Sequence, residues 1–177
     1  FFNLEFPHNV AHLRRPLLEP LAGTLPEPEI HRRLVGALGA YTDDDIAPLR
    51  EAAERSRLDF GAAFLGALGE HPEWGKVAPT LLYDTLGPTL PDGAASAALL
   101  WYACHRCAQT YPDAIRRAGF AGDDPLTLAE ALFDGVLSSR SGVVFSVDEW
   151  SDAWNYVKRP DSKFTLVIDE LLEGVDE

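Results

Sequence analysis

The pair of cysteines in Cys104-His105-Arg106-Cys107 is the first place in the sequence where side chains could carry out chemistry. Two thiolates at this spacing can bind zinc or an iron–sulfur cluster, but a structural zinc site needs four ligands and a cluster usually needs four cysteines. The chain has 2 cysteines, and they fall inside an apolar stretch that predicts a helix. We therefore interpret both as small core residues on one helical face and predict no metal ligand.

None of the other chemistry-bearing residues forms a recognised catalytic pattern. His8 and His12 have the spacing of a helical ligand pair, but prolines interrupt the local chain and no glutamate follows His8 as it does in zincin proteases. The glycine-containing stretch 61–66 lacks the preceding strand and the following Lys-Ser or Lys-Thr of a phosphate-binding loop, so it is better explained by close helix packing. The serines between 138 and 146 lack a nucleophile elbow. The sequence predicts no catalytic residue.

Arg14 and Arg15 are adjacent cationic residues in a chain that has 28 acidic and 15 basic residues. They precede Pro16, on a segment that we expect to face other protein. Paired guanidinium groups bind phosphate or carboxylate oxygens well. The alternative is that these arginines form a local ion pair. The sequence does not decide between anion binding and an ion pair.

The formal net charge of −13 argues against a nucleic-acid or acidic-lipid surface, since both need positive charge. The longest apolar run, 97–104, is far shorter than the roughly 20 residues of a membrane span. We expect no signal peptide in this piece, because no charged stretch followed by an apolar stretch opens it, and the low cysteine count fits a reducing cytosol. We therefore predict a cytoplasmic protein with no nucleic-acid or membrane partner. Because the chain begins with Phe1 and contains no methionine, we also expect it to be a piece of a larger protein.

Capping residues and apolar periodicity predict a run of helices from Glu27 to about residue 138. Gly39 is typical of a helix end, while Asp45 and Asp124 are typical of helix starts. A third helix carries Phe60, Phe64, Leu65 and Leu68. The stretch 94–110 is apolar nearly all round, which indicates a central helix with Leu99 and Leu100 buried.

The two ends of the chain differ from this helical middle. Residues 1–24 contain several prolines and a weakly alternating start, which predicts an extended segment. Residues 142–147 and 164–166 read as short strands, with Asp148 capping a short helix between them. The predicted fold is mainly α: an irregular helical bundle of about seven or eight helices, with an extended N-terminal segment and one short strand pair near the C-terminus. We divide it into 1–24, a helical domain 25–140 and a tail 141–177.

Two stretches carry a family resemblance. Residues 5–21 read Glu-Phe-Pro-His-Asn-Val-Ala-His-Leu-Arg-Arg-Pro-Leu-Leu-Glu-Pro-Leu and run on to Glu-Pro-Glu-Ile at 27–30. The tail reads Gly-Val-Val-Phe-Ser-Val-Asp-Glu at 142–149 and Arg-Pro-Asp-Ser-Lys-Phe-Thr-Leu at 159–166. Both resemble segments of the large catalytic subunits of molybdopterin oxidoreductases, the dimethyl-sulfoxide-reductase-like superfamily. The middle, about 40–140, looks like a helical insertion.

This resemblance implies an internal fragment between the central domains and the C-terminal domain of such an oxidoreductase. The parent would bind molybdopterin guanine dinucleotide, and often an iron–sulfur cluster, to oxidise or reduce a small substrate such as formate or nitrate. The family's metal ligands lie upstream, and Cys104 and Cys107 match neither motif. The resemblance places nearest the parent's central domains a set of candidate cofactor-side residues: Asn3, His8, Asn9, Arg14 and Arg15.

The leading hypothesis is therefore a non-catalytic helical region that covers the active site of the parent or holds a partner. Its partners would be the remaining domains of the parent chain and an electron-transfer subunit. The alternative is a helical protein-interaction module with no redox role, which docks through Phe1, Phe2 and Phe6. A third hypothesis, a small zinc or redox protein, depends on Cys104 and Cys107.

Overall fold

The computed structural model describes residues 2–14, 17–18, 20–157, 159–161 and 163. Helices dominate these residues, which confirms the predicted mainly α class. The helices are α1 Glu27–Ala37, α2 Asp43–Arg55, α3 Arg57–Glu70, α4 Ala78–Thr85, α5 Ala98–Thr110, α6 Pro112–Arg117, α7 Pro125–Ser138 and α8 Ala153–Tyr156. Single 3-10 turns occupy Pro72–Lys76, Gly87–Thr89, Ala95–Ala97 and Trp150–Asp152. The strands are β1 Phe2–Glu5, β2 His8–Ala11 and β3 Val143–Val147.

Side-chain caps set the starts of α2, α3 and α7. Asp124 begins α7 as predicted, because its carboxylate accepts hydrogen bonds from the backbone N–H groups of Leu126 and Thr127 at 2.8 and 2.9 Å. The prediction that Asp45 begins α2 was wrong. Thr42 is the capping residue, and the Asp45 carboxylate accepts from the Thr42 backbone N–H at 2.8 Å, which completes a capping box. Either residue type can cap a helix, so composition alone did not distinguish them.

The core is one cluster of side chains from α2, α3, α4, α5 and α7 and their connections. Phe60 and Phe133 are fully buried, and the ring centroids of Phe60 and Trp101 are 5.3 Å apart in an edge-to-face arrangement. Helix α5 packs along α7 and buries a face that includes Ala98 and Cys104. None of the helices in the described part of the chain is both long enough and apolar enough to span a membrane.

Two leucines that the sequence placed inward are at the surface. Leu65 in α3 is 64% exposed and Leu99 in α5 is 46% exposed, whereas Leu100 is partly buried. Helix α5 is therefore central along one face only. Periodicity could not reveal this, because a folded chain has too little polar surface to cover every apolar residue.

The small sheet pairs the N-terminal strands with the strand that follows α7. Its order is β1-β2-β3 and both pairings are antiparallel. The sequence correctly predicted the strand at 142–147, but β3 pairs with the N-terminal strand β2, and residues 164–166 lie outside the described part of the chain. Alternation identifies a strand without identifying its partner, so the pairing could not be read from the sequence.

Polar contacts fix this sheet to its surroundings. The amide nitrogen of buried Asn9 donates to Ser146 Oγ at 2.9 Å and to Asp148 Oδ2 at 2.8 Å. Arg117 of α6 donates from Nε to the carbonyl oxygen of Val147 at 2.8 Å. Asp148 was predicted to cap the following helix, but Glu149 occupies that capping position instead. The Asp148 carboxylate is used by Asn9.

The position of the core can be tested with two leucines. Leu81 in α4 is fully buried, so Leu81→Ala should lower the free energy of unfolding by about 2–5 kcal/mol. The matched control Leu99→Ala, at a half-exposed position, should lower it by less than about 1 kcal/mol. Urea denaturation followed by circular dichroism gives both values. Equal losses in the two variants would contradict this placement of the core.

Candidate functional site

Among the residues that the resemblance places near the parent's central domains, those whose side chains the structure describes do not form one cluster. Asn3 lies in β1, opposite Val10, and His8 is exposed at the start of β2. Asn9 points inward and holds β2 to β3. Arg14 is exposed beyond the end of β2, and Arg15 lies outside the described residues. The geometry gives Asn9 a structural role and leaves cofactor contact by the other residues as a prediction.

Arg14 lines a cavity of about 630 Å³ beside the sheet. His12 and Arg140 line the same cavity, and His12 Nε2 lies 3.2 Å from the carbonyl oxygen of Arg140. Ser138 and Ser139 also line it. This lining could accept an anion, but it does not include His8 or Asn9.

Cys104 and Cys107 are core residues, which confirms their interpretation from the sequence. Cys104 is 6% exposed, and Cys107 packs against the same core. Burial raises the pKa of both thiols. A buried, protonated thiol is a poor nucleophile and a poor metal ligand.

Molybdenum or an iron–sulfur cluster does not fit the side chains that the structure describes. Within the described ranges, no group of three or more His, Cys, Asp or Glu residues is placed to hold a metal ion. Both metal centres need several such donors around one point. Ligation of either centre by the described part of this chain is therefore not supported by its donor groups.

A cleft between α3 and α5 lies in front of a fixed polar cluster. Its volume is about 400 Å³, and we name it the α3–α5 cleft. Apart from Arg57, its α3 wall is apolar, and its α5 wall is largely polar. The lining residues are Arg57, Leu58, Gly61, Ala62, Phe64 and Leu65 of α3, Trp101, Tyr102, His105, Arg106 and Gln109 of α5, and Leu126 of α7.

Glu130 of α7 lies behind the lining of the cleft and holds three of its lining side chains. Its carboxylate accepts hydrogen bonds from Trp101 Nε1 at 2.6 Å, Arg57 Nε at 2.5 Å and His105 Nε2 at 3.0 Å. Arg57 also donates from Nη2 to Asp134 Oδ1 at 2.6 Å. One carboxylate thus links α3, α5 and α7.

The pKa of Glu130 lies below its usual value. Burial by itself raises the pKa, but the hydrogen bonds from His105, Trp101 and Arg57 together lower it by more. The group is therefore ionised in the folded chain at neutral pH. Since all three donors point at its two oxygens, it is poorly placed to act as a free general base.

The cleft is better suited to binding than to catalysis. Among the described residues that line it, the hydroxyl of Tyr102 is the only hydroxyl or thiol group. A nucleophile within hydrogen-bonding reach of a base is the minimum for covalent catalysis, and this lining does not provide it. Aromatic and apolar walls with a few polar groups are typical of ligand pockets.

The sequence interpretation missed this cleft entirely. The signal that was present is the spacing of Tyr102, His105, Arg106 and Gln109, which places one polar stripe along an otherwise apolar helix. Glu130 gave no signal, because its partner Arg57 is 73 residues away in sequence.

A second surface carries exposed aromatic side chains. Trp150 is 79% exposed and Trp154 is 67% exposed, and they lie on consecutive turns after β3. The ring of Phe6 is 51% exposed and its centroid lies 4.6 Å from that of Trp150. We name these three residues the aromatic face. Large exposed rings in a cluster are typical of interaction surfaces.

The role of Glu130 can be tested by the pH dependence of stability. Because its pKa in the folded chain is below the usual 4.5, its stabilisation is present above that pH and is lost as the pH falls through the folded-state pKa. Glu130→Gln should lower the free energy of unfolding by about 1–3 kcal/mol at neutral pH. The difference between this variant and the unmutated chain should shrink as the pH falls below 4.5. The control is Glu54→Gln, at an exposed site on α2, which should change the free energy of unfolding little. If Glu130→Gln lowered the free energy of unfolding by the same amount at every pH, this role of Glu130 would be contradicted.

Thiol labelling tests the burial of the cysteine pair. With 5,5′-dithiobis(2-nitrobenzoate) at pH 8, Cys107→Ala reports on Cys104 alone and should react negligibly in the folded state, because that thiol is buried and protonated. The same variant should react fully in guanidinium chloride. Fast labelling of folded Cys107→Ala would show that Cys104 is accessible. That result would support the hypothesis of a small zinc or redox protein.

Comparison with known proteins gives no relative for this chain: no protein-family model, no curated protein and no solved structure matches it. The observations that bear on function are therefore the sheet that pairs β2 with β3, the aromatic face and the α3–α5 cleft. The family resemblance of the two end segments stays a prediction.

Proposed function

We propose that this chain is a non-catalytic helical region of a molybdopterin-dependent oxidoreductase. The observation that carries the proposal is the pairing of β2 with β3. Strand β2 lies in the N-terminal stretch that resembles the family, and β3 lies in the C-terminal one. Two stretches that are separated by the helical middle in sequence are therefore neighbours in space.

This pairing suits a region that is inserted into a larger protein. Ala11 is opposite Val143, and His12 is hydrogen-bonded to the Arg140 carbonyl. The chain thus leaves the sheet and returns to it at one place after forming helices α1 to α7. Insertions are tolerated best where the two ends lie close together, because the host then keeps its own geometry.

The aromatic face supports contact with further protein. Phe6 follows β1, and Trp150 follows β3, so the face adjoins the sheet that carries both resembling stretches. Burying large rings against the parent's other domains would remove apolar area from water. The region's own work would then be structural: covering the active-site entrance or holding a partner subunit, with the redox chemistry supplied by a cofactor bound elsewhere in the parent.

A helical interaction module with no redox role is the second candidate, and the aromatic face favours it as well. The docking strip was predicted to include Phe1, Phe2 and Phe6. Phe6 is exposed and lies against Trp150, whereas Phe1 and the side chain of Phe2 lie outside what the structure describes. The two candidates differ in whether the whole protein carries molybdenum.

The first test is the intact mass and metal content of the protein purified from its native source. A chain much larger than 19.4 kDa with about one molybdenum per molecule is the expected result, because the family binds one such centre. Protein from the same cells grown without molybdate is the control and should keep its mass while losing the metal. A chain of about 19.4 kDa without molybdenum would reject the family and leave the interaction module.

A further inference from the structure

We infer that the α3–α5 cleft binds a small aromatic anion, a planar ring system that carries one carboxylate or sulfonate group. The inference is independent of the proposed function, since it depends on the cleft alone. Its volume of about 400 Å³ falls within the roughly 300–1,000 Å³ of typical ligand pockets. Chemistry of the lining then decides which class of ligand fits.

The apolar part of the cleft suits a planar ring. Phe64, Trp101 and Tyr102 contribute aromatic side chains to the lining, and the rings of Phe64 and Tyr102 meet edge to face at 6.5 Å. Helix α3 lies close to the Trp101 ring at Gly61, where a Cβ would be at van der Waals contact distance, 3.4 Å from that ring. Exposed Leu65 forms part of the rim, and a bound ring would cover it.

The charged part of the cleft suits an anion. Arg57 and Arg106 line it, and no aspartate or glutamate is among the described residues that do so. Glu130 and Asp134 lie behind the lining, where they pair with Arg57. The charge that remains in the cleft is therefore that of Arg106, in a chain whose net charge is −13.

Arg106 and Gln109 supply the hydrogen-bond donors for that anion. Within the described ranges, neither side chain has a hydrogen bond or an ion pair. They lie three residues apart on α5, so both reach the same side of the cleft. A guanidinium group donates two parallel hydrogen bonds to a carboxylate or sulfonate.

The base of the cleft is already fixed before any ligand binds. Trp101 and His105 are held by Glu130, and Arg57 is held by Glu130 and Asp134. Side chains that are ordered in advance lose little conformational entropy on binding. The cleft therefore has the rigid aromatic base and the unpaired donors that binding of an aromatic anion requires.

Two matched probes test the inference on the purified 177-residue chain. The first is 8-anilinonaphthalene-1-sulfonate, and the second is N-phenyl-1-naphthylamine, which has the same rings without the charge. Calorimetric titration should give one sulfonate site per chain. Arg106→Gln should weaken sulfonate binding by about tenfold or more, because a charge-assisted pair is lost, and should leave binding of the uncharged amine nearly unchanged.

Further variants separate this cleft from other sites. Ala62→Phe fills the apolar wall and should weaken both probes. Arg140→Gln, in the cavity beside the sheet, is the matched control and should weaken neither. Circular dichroism and the urea midpoint check that each variant folds. A second variant, Arg106→Glu, repeats the test of sulfonate binding at the same exposed position.

Three results would overturn the inference. In the first, Arg140→Gln weakens sulfonate binding while Arg106→Gln does not, which would place the anion in the other cavity. In the second, Arg106→Gln affects the charged and uncharged probes equally, so the charge is not recognised. In the third, several sulfonates bind per chain and Ala62→Phe does not change their binding.

Discussion

The hydrogen bonds to Glu130 are the constraint on which the helical part of the structure depends. Leaving a partly buried carboxylate without its partners lowers the stability of the folded chain by several kcal/mol. The donors to Glu130 must therefore be in place when the helices pack. Arg57 brings α3 to it, and Trp101 and His105 bring α5. The Arg57 guanidinium also lies 5.4 Å from the centroid of the Phe133 ring, where the polar cluster meets the core. The shape of the α3–α5 cleft follows from this arrangement.

The sheet places a second constraint on the chain. Asn9 satisfies its buried amide through Ser146 and Asp148, and this fixes β2 against the end of β3. Arg117 then ties the same region to α6. Specific polar contacts thus join the helices and the sheet in addition to apolar packing, and the aromatic face lies exposed beside the sheet.

Local signals were enough to predict much of the fold, and non-local pairing was not. Asp124 and Gly39 mark helix ends through backbone chemistry that acts within a few residues, and both were predicted correctly. The buried face of α7 follows from periodicity. The partner of β3 and the cluster at Glu130 join residues far apart in sequence, for which neither capping nor periodicity carries information. Leu65 was misplaced because apolar character does not say which side of a helix is left uncovered.

The pairing of β2 with β3 also has a consequence for the order of events when the chain folds. The contacts within and between neighbouring helices are local and form quickly, whereas this pairing closes a loop of more than a hundred residues, with Asn9 and Ser146 separated by 137 positions. During synthesis the β1–β2 hairpin emerges before β3 and has an open edge until β3 has been made. Until then, that edge can pair with another molecule.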